Sequence, residues 1–259
     1  MRAALMELLL YFDPTITACF FALLMTAAWR LGIWVGKRSV AAQVLSRFDD
    51  GALALFGLVL AFSFAGAAAR YDYRKKLVLN EATAIGDFVG TAAVLAEPQR
   101  SQLLSEVRDY VAQRLTYGHT RFDDPSMPAL LENTRASQGR LGALTSLAIR
   151  DANTPTVHAP LMNNLNALTT AYDNRWQGQL DHIPGSVAFM LLVFGLFSTY
   201  TMGRLADGTR QGSALGYVAL VALVFWVTLD METPRRGLLR VSQQPMEEVQ
   251  ANLPTPSAR

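Results

Sequence analysis

The chain alternates between uncharged apolar blocks and ordinary amphipathic stretches. The blocks run from about Thr15 to Gly36, Gly51 to Ala69, Gly185 to about Gly203, and Ser213 to Leu229. The second carries no charge across 19 residues and is bounded by Asp49-Asp50 and Arg70. At 1.5 Å per helical residue such a stretch spans ~28 Å, close to the hydrocarbon thickness of a bilayer. Each block predicts a transmembrane helix, with Tyr200, Tyr217 and Trp226 near block ends as interfacial anchors. A cleaved signal peptide is the rival for the first block, but it needs a basic start and a small-residue cleavage site before soluble sequence. Here Glu7 and Asp13 accompany a lone Arg2, and the apolar run continues past Ala27-Ala28 into Trp29 and Trp34. A retained span is therefore expected, preceded by a short interfacial helix over residues 3–12 that ends at Asp13-Pro14.

Between the second and third blocks, residues 70–183 read as helices throughout. Val78, Ile85, Phe88, Ala92 and Leu95 recur at helical spacing, and Pro98 opens a second stripe of Leu103, Leu104, Val107, Tyr110, Val111 and Leu115. After the Gly118 to Pro128 loop, Leu130, Leu131, Leu141, Leu144 and Ala148 predict a third helix. Asn153-Thr154-Pro155 then starts a fourth, through Leu161, Leu165, Leu168 and Tyr172. The first and last of these abut spans two and three without a Gly/Pro linker, so both are expected to continue the spans as rods. The tail beyond about Gln250 is expected to be unstructured.

Composition agrees with this division. The chain is 51% hydrophobic and 17% charged, whereas a soluble domain is typically about 25% charged. A net charge of +2, with no aromatic-basic face, gives no reason to expect nucleic-acid binding. The single cysteine, Cys19, lies in an apolar run and reads as a small hydrophobe. With four spans, both termini and the long connection share one side. That side carries Arg2, Arg70, Arg74, Lys75, Lys76, Arg175, Arg235, Arg236 and Arg240 near span ends, against Lys37, Arg38, Arg47, Arg204 and Arg210 opposite. The bias places the long domain and both termini in the cytoplasm.

Reactive chemistry is hard to find. His119, His158 and His182 have no ligand-like spacing, and the sequence has no phosphate-binding glycine loop, serine nucleophile elbow or paired-cysteine motif. The chain is read as a non-enzyme without a cofactor. Spans two and three contain no ionisable residue, whereas ion-coupled transporters keep such residues at membrane depth. A passive pore needs only helices around an axis and a constriction that dewets. Phe56, Leu60 and Phe64 form an i, i+4, i+8 line on span two, among small residues that permit close helix approach; ordinary packing is the plain alternative. Gly32 and Gly36, and Gly212 and Gly216, are small-xxx-small pairs that signal association weakly. Glu81 falls on the apolar stripe with Val78, Ile85 and Phe88, so it needs a basic or amide partner such as Arg114 or Arg175. Asp230 and Glu232, just past span four, form a candidate cation site, or else pair with Arg235, Arg236 or the cations after span two.

Several of these residues carry a family resemblance. Arg70-Tyr71-Asp72 with Arg74, Glu81-Ala82, Ala84-Ile85-Gly86, Tyr110 with Arg114-Leu115, Leu165-Asn166, and Asp173 with Arg175 resemble a bacterial bestrophin-like family of membrane proteins. So does the ending Leu229-Asp230-x-Glu232-x-Pro234-Arg235-x-Gly237, where the family usually has Asp at the Glu232 position. The resemblance extends from span two to Pro245. Through distant kinship with bestrophin channels, it implies a homopentamer with four spans per subunit, cytosolic termini and a neck on span two. By position that neck is Phe56, Leu60 and Phe64. Asp230 and Glu232 sit where eukaryotic bestrophins bind calcium, without the dense acidic run found there.

The expectation is an all-α membrane protein with a helical cytoplasmic domain inserted between helices 2 and 3. Residues 1–69 hold the interfacial helix and spans one and two, 70–183 the extramembrane domain, 184–232 spans three and four, and 233–259 a cytoplasmic tail. Its partners would be the lipid bilayer, further copies of itself and a permeant inorganic ion, in a bacterial inner membrane. Arg70, Asp72, Arg74, Glu81 and Arg175 are candidates for lining the ion path or for structural pairing. The rival reading is a non-conducting, membrane-anchored interaction or signalling protein.

Overall fold

The computed structural model describes residues 13–38, 47–121, 123–150, 155–205, 211–233 and 237–254, with backbone alone for 47–49 and 211–213. The expected interfacial helix at 3–12, the Asn153-Thr154 start signal and Pro234-Arg235-Arg236 lie outside these residues. The described chain is helical: α1 Pro14–Gly36, α2 Arg47–Ala92, α3 Gln99–His119, α4 Met127–Arg150, α5 Pro155–Leu180, α6 Gly185–Arg204, α7 Gln211–Glu232 and α8 Gln244–Asn252. It forms two compact units, one of residues 1–71 and 182–239 and the other of residues 72–181 and 240–259.

The first unit holds the four apolar segments. Asp13 caps α1 by accepting the Thr15 N–H at 2.8 Å, with Pro14 in the first turn, where its missing N–H costs nothing. Its core joins Phe21 and Met25 of α1, Phe56 and Leu60 of α2, Leu191 of α6, and Val218, Val221 and Phe225 of α7. The Phe21 and Phe225 rings lie 4.4 Å apart. Glycine brings α1 and α6 together: a Cβ on Gly32 would strike the Tyr200 carbonyl, and one on Gly203 the Trp29 carbonyl. The Gly32/Gly36 pair thus serves packing within the chain. Around Gly216, by contrast, no atom lies within 4 Å of an added Cβ.

The four helices of this unit are long and apolar enough to cross a membrane. With 46 residues, α2 is ~69 Å long, about twice the hydrocarbon thickness. It continues its span as one helix, as expected. The other continuation fails: α5 ends at Leu180, and Pro184 caps a separate α6. Proline disfavours helical backbone in the residue before it, which ends the rod.

The second unit packs the C-terminal half of α2 against α3, α4, α5 and α8. Its core holds Val78, Ile85, Phe88, Leu103, Val107, Tyr110, Leu141, Leu161 and Leu168, together with Met246 and Leu253 from the C-terminal segment. Of the tail expected to be unstructured beyond about Gln250, residues 255–259 lie outside the described residues. Gln244–Asn252 is helical, because Met246, Val249 and Leu253 give it an apolar edge to bury.

Candidate functional site

The most concentrated polar chemistry lies inside the second unit. Glu81 on α2 is fully buried, as are Arg114 on α3 and Arg175 on α5. Arg114 donates through Nε to Glu81 Oε1 at 2.5 Å and through Nη2 to Oε2 at 2.8 Å, in the two-pronged geometry that suits guanidinium and carboxylate. Arg175 Nη1 donates to Oε2 at 2.6 Å, and the Tyr110 hydroxyl to Oε1 at 2.7 Å. One carboxylate therefore accepts from both arginines named as candidate partners. Arg175 Nη2 also donates to Gln243 Oε1 at 2.6 Å, tying in the segment before α8. Gly118 leaves room for the Gln243 side chain, which a Cβ there would strike. Arg114 lies 4.7 and 4.8 Å from the ring centroids of Tyr117 and Tyr172, close enough for cation–π attraction.

The charges in this cluster shift one another. Burial pushes the Glu81 carboxyl up, but attraction to Arg114 and Arg175, with hydrogen bonds from Arg114 and Tyr110, prevails and lowers it to about 2. Burial, reinforced by Glu81, pushes the Tyr110 phenol up, keeping it a neutral donor. Burial opposes the Arg114 charge, but Glu81 outweighs it and raises that guanidinium; at Arg175 burial prevails and lowers it. The cluster buries two cations against one anion and locks α2, α3, α5 and the C-terminal segment together.

Arg74 is buried elsewhere in this unit. It donates to the carbonyls of Gly178 at 3.0 Å and Asp181 at 2.6 Å, satisfying the end of α5, where helical carbonyls lack partners. Asp72 is exposed, 3.9 Å from Lys75, and takes no part in the cluster.

In the first unit, the two carboxylates at the end of α7 diverge. Glu232 accepts from Arg70 Nε at 2.9 Å and from the Ile183 N–H at 3.0 Å, with His182 Nδ1 3.7 Å away. Asp230 accepts from the N–H groups of Leu238 and Leu239 at 3.0 and 2.8 Å. Among the described residues no group of three or more His, Cys, Asp or Glu is placed to hold a metal. Of the two sequence readings for this pair, the geometry supplies the one with protein partners: Arg70 for Glu232, and backbone for Asp230.

The candidate neck divides between two faces of α2. Phe56 and Leu60 are 2% and 9% exposed, packed in the core of the first unit, while Phe64 is 38% exposed. A helix turns 100° per residue, so an i, i+4, i+8 line drifts by about 80° over its length. The buried stripe is Phe56, Leu60, Ser63 and Ala67; away from it Leu55, Leu58, Phe62, Ala65 and Ala69 are exposed. Sequence reasoning misses Tyr110 and Gln243 as members of the Glu81 cluster. Tyr110 sits among core positions of its stripe, and nothing in the spacing ties Gln243 to residue 175.

Four membrane-length apolar helices, joined to a second helical unit held by a buried arginine–glutamate cluster, define a multi-span α-helical membrane protein. The chain belongs to the bestrophin-like family: the model of the Bestrophin-like domain matches residues 18–246. Among solved structures it is similar to a bacterial bestrophin homologue from Klebsiella pneumoniae bearing a tryptophan-to-alanine mutation. The TM-score is 0.66 at 13% identity, covering 91% of this chain and 95% of that one. At that identity the likeness is one of fold. No curated protein matches the chain.

Proposed function

We propose that this chain is the subunit of a homopentameric passive ion channel in a bacterial inner membrane, with its termini in the cytoplasm and α2 lining the pore. One observation carries the reading: the membrane half of α2 buries one stripe in its own subunit and leaves Leu55, Leu58, Phe62, Ala65 and Ala69 uncovered. An axis shared by several copies must be lined by side chains exposed on the single subunit. This moves the constriction from Phe56 and Leu60 to Leu58 and Phe62, which are 51% and 70% exposed. Small residues on the same face allow the helices to approach, and large apolar ones form a gate that dewets. Membership of the bestrophin-like family supports the same reading.

Glu81, Arg114 and Arg175 act in this scheme as a structural lock, since burial keeps them out of any water-filled path. Asp230 and Glu232 hold the end of α7 to its neighbours, and we assign them no permeant cation. The test is ion flux in liposomes. Leu58→Ala with Phe62→Ala is expected to raise flux or abolish gating, while Phe56→Ala lowers stability and leaves ion selectivity alone. Flux unaffected by the Leu58/Phe62 pair would overturn the assigned constriction. No flux from well-folded protein under any condition would favour the non-conducting interaction module.

A further inference from the structure

We propose that residues 237–239 form a built membrane anchor that holds Leu238 in the lipid interface beside the end of α7, independently of whether the protein conducts. Leu238 is 80% exposed, more than any other large apolar side chain among the described residues, and Leu239 beside it is 37% exposed. A lone exposed leucine on a water-facing surface would need no explanation. This one is held in place from behind. The buried carboxylate of Asp230, in the last turn of α7, accepts the N–H groups of Leu238 and Leu239, and the Gly237 N–H donates to the Thr233 carbonyl at 3.2 Å. Gly237 is required here, because a Cβ would drive into Asp230 Oδ1.

These bonds fix the depth of Leu238. Extended, the seven residues from Thr233 could travel about 23 Å from the helix. Instead residues 238 and 239 lie one carboxylate away from α7. The apolar part of α7 runs to Leu229, and Trp226, one turn before Asp230, donates to the Thr15 hydroxyl at 3.3 Å. Tryptophan is enriched at the headgroup level of a bilayer, where its amphipathic ring is accommodated. Leu238 is therefore held near that level; α7 itself leaves Leu215, Leu220 and Leu223 uncovered further into the span. In sequence the loop is preceded by Arg235 and Arg236, cations of a kind suited to lipid phosphates. The occupant that this chemistry fits is the bilayer.

The experiment places an environment-sensitive fluorophore on Leu238→Cys in a Cys19→Ser background, in nanodiscs of phosphatidylcholine and phosphatidylglycerol. Quenching by shallow spin-labelled lipid is expected to exceed quenching by aqueous iodide several-fold, with the reverse at an Asp72→Cys control. Iodide-dominated quenching at 238 would place the leucine in water and overturn the anchor. Quenching by neither agent would mean that protein covers it, and would overturn the anchor equally. Asp230→Asn, which keeps size but removes charge from the acceptor, should shift the label towards iodide; an unchanged lipid signal would refute the role given to Asp230.

Discussion

A carboxylate at position 81, in register with Val78, Ile85 and Phe88, has to be paired, and the sequence offers Arg114 and Arg175 among the candidate partners. What spacing does not show is that both arginines, with Tyr110, converge on the same two oxygens. Replacing Glu81 with Gln would leave two buried guanidinium groups facing a neutral amide. Loss of one partner from a buried ion pair typically costs about 3–5 kcal/mol, so Glu81→Gln should unfold well below wild type in detergent thermal melts. The pH dependence has a definite sign. The folded carboxyl is lowered to about 2 from an ordinary value of about 4.3. Its stabilisation is therefore complete above the ordinary value and drains away as pH falls towards 2. Melts between pH 6 and pH 3 should show a steeper loss in wild type than in Glu81→Gln; parallel curves would place the acid sensitivity in other groups.

At the scale of elements, glycine on the same fold has opposite consequences. Gly203 lies where α1 and α6 touch backbone to backbone, so Gly203→Ala should force the helices apart and lower thermal stability by about 1–3 kcal/mol. Apart from its own stretch of helix, nothing among the described residues lies within 4 Å of a Cβ on Gly57 of α2. By helix propensity alone, Gly57→Ala should stabilise the single chain by up to about 1 kcal/mol. A measured loss at Gly57 would instead point to a neighbouring copy against that face. The sequence does not separate these glycines, because small-xxx-small spacing is the same whether the partner helix lies in the same chain or another. Helix ends divide similarly. The continuous α2 follows from an uninterrupted helical pattern, whereas the break before α6 rests on one proline after His182-Ile183. The short α8 escapes a reading by sequence because its apolar edge gains meaning only against the core of the second unit.

For the whole molecule, the decisive measurement is native mass in mild detergent or nanodiscs. A particle of about five copies of the 28.4 kDa chain is expected. A persistent monomer or dimer would remove the proposed pore, since one or two copies of α2 cannot enclose an axis. If the pentamer forms, cysteine pairs at Leu58 and Phe62 should cross-link between copies in a Cys19→Ser background, and Phe56→Cys should not.

The sequence by itself determined the four membrane helices, the helical character of residues 70–183 and the need to pair Glu81. These follow from local quantities: charge-free length matched to a bilayer, the 3.6-residue period, and the cost of burying an unpaired charge. Only the tertiary structure decided which face of α2 is covered, that Asp230 and Glu232 serve separate partners, and that Gln243 completes the Arg175 cluster. Each of these depends on which distant segment lies alongside, and neighbours in space leave no period in a single chain.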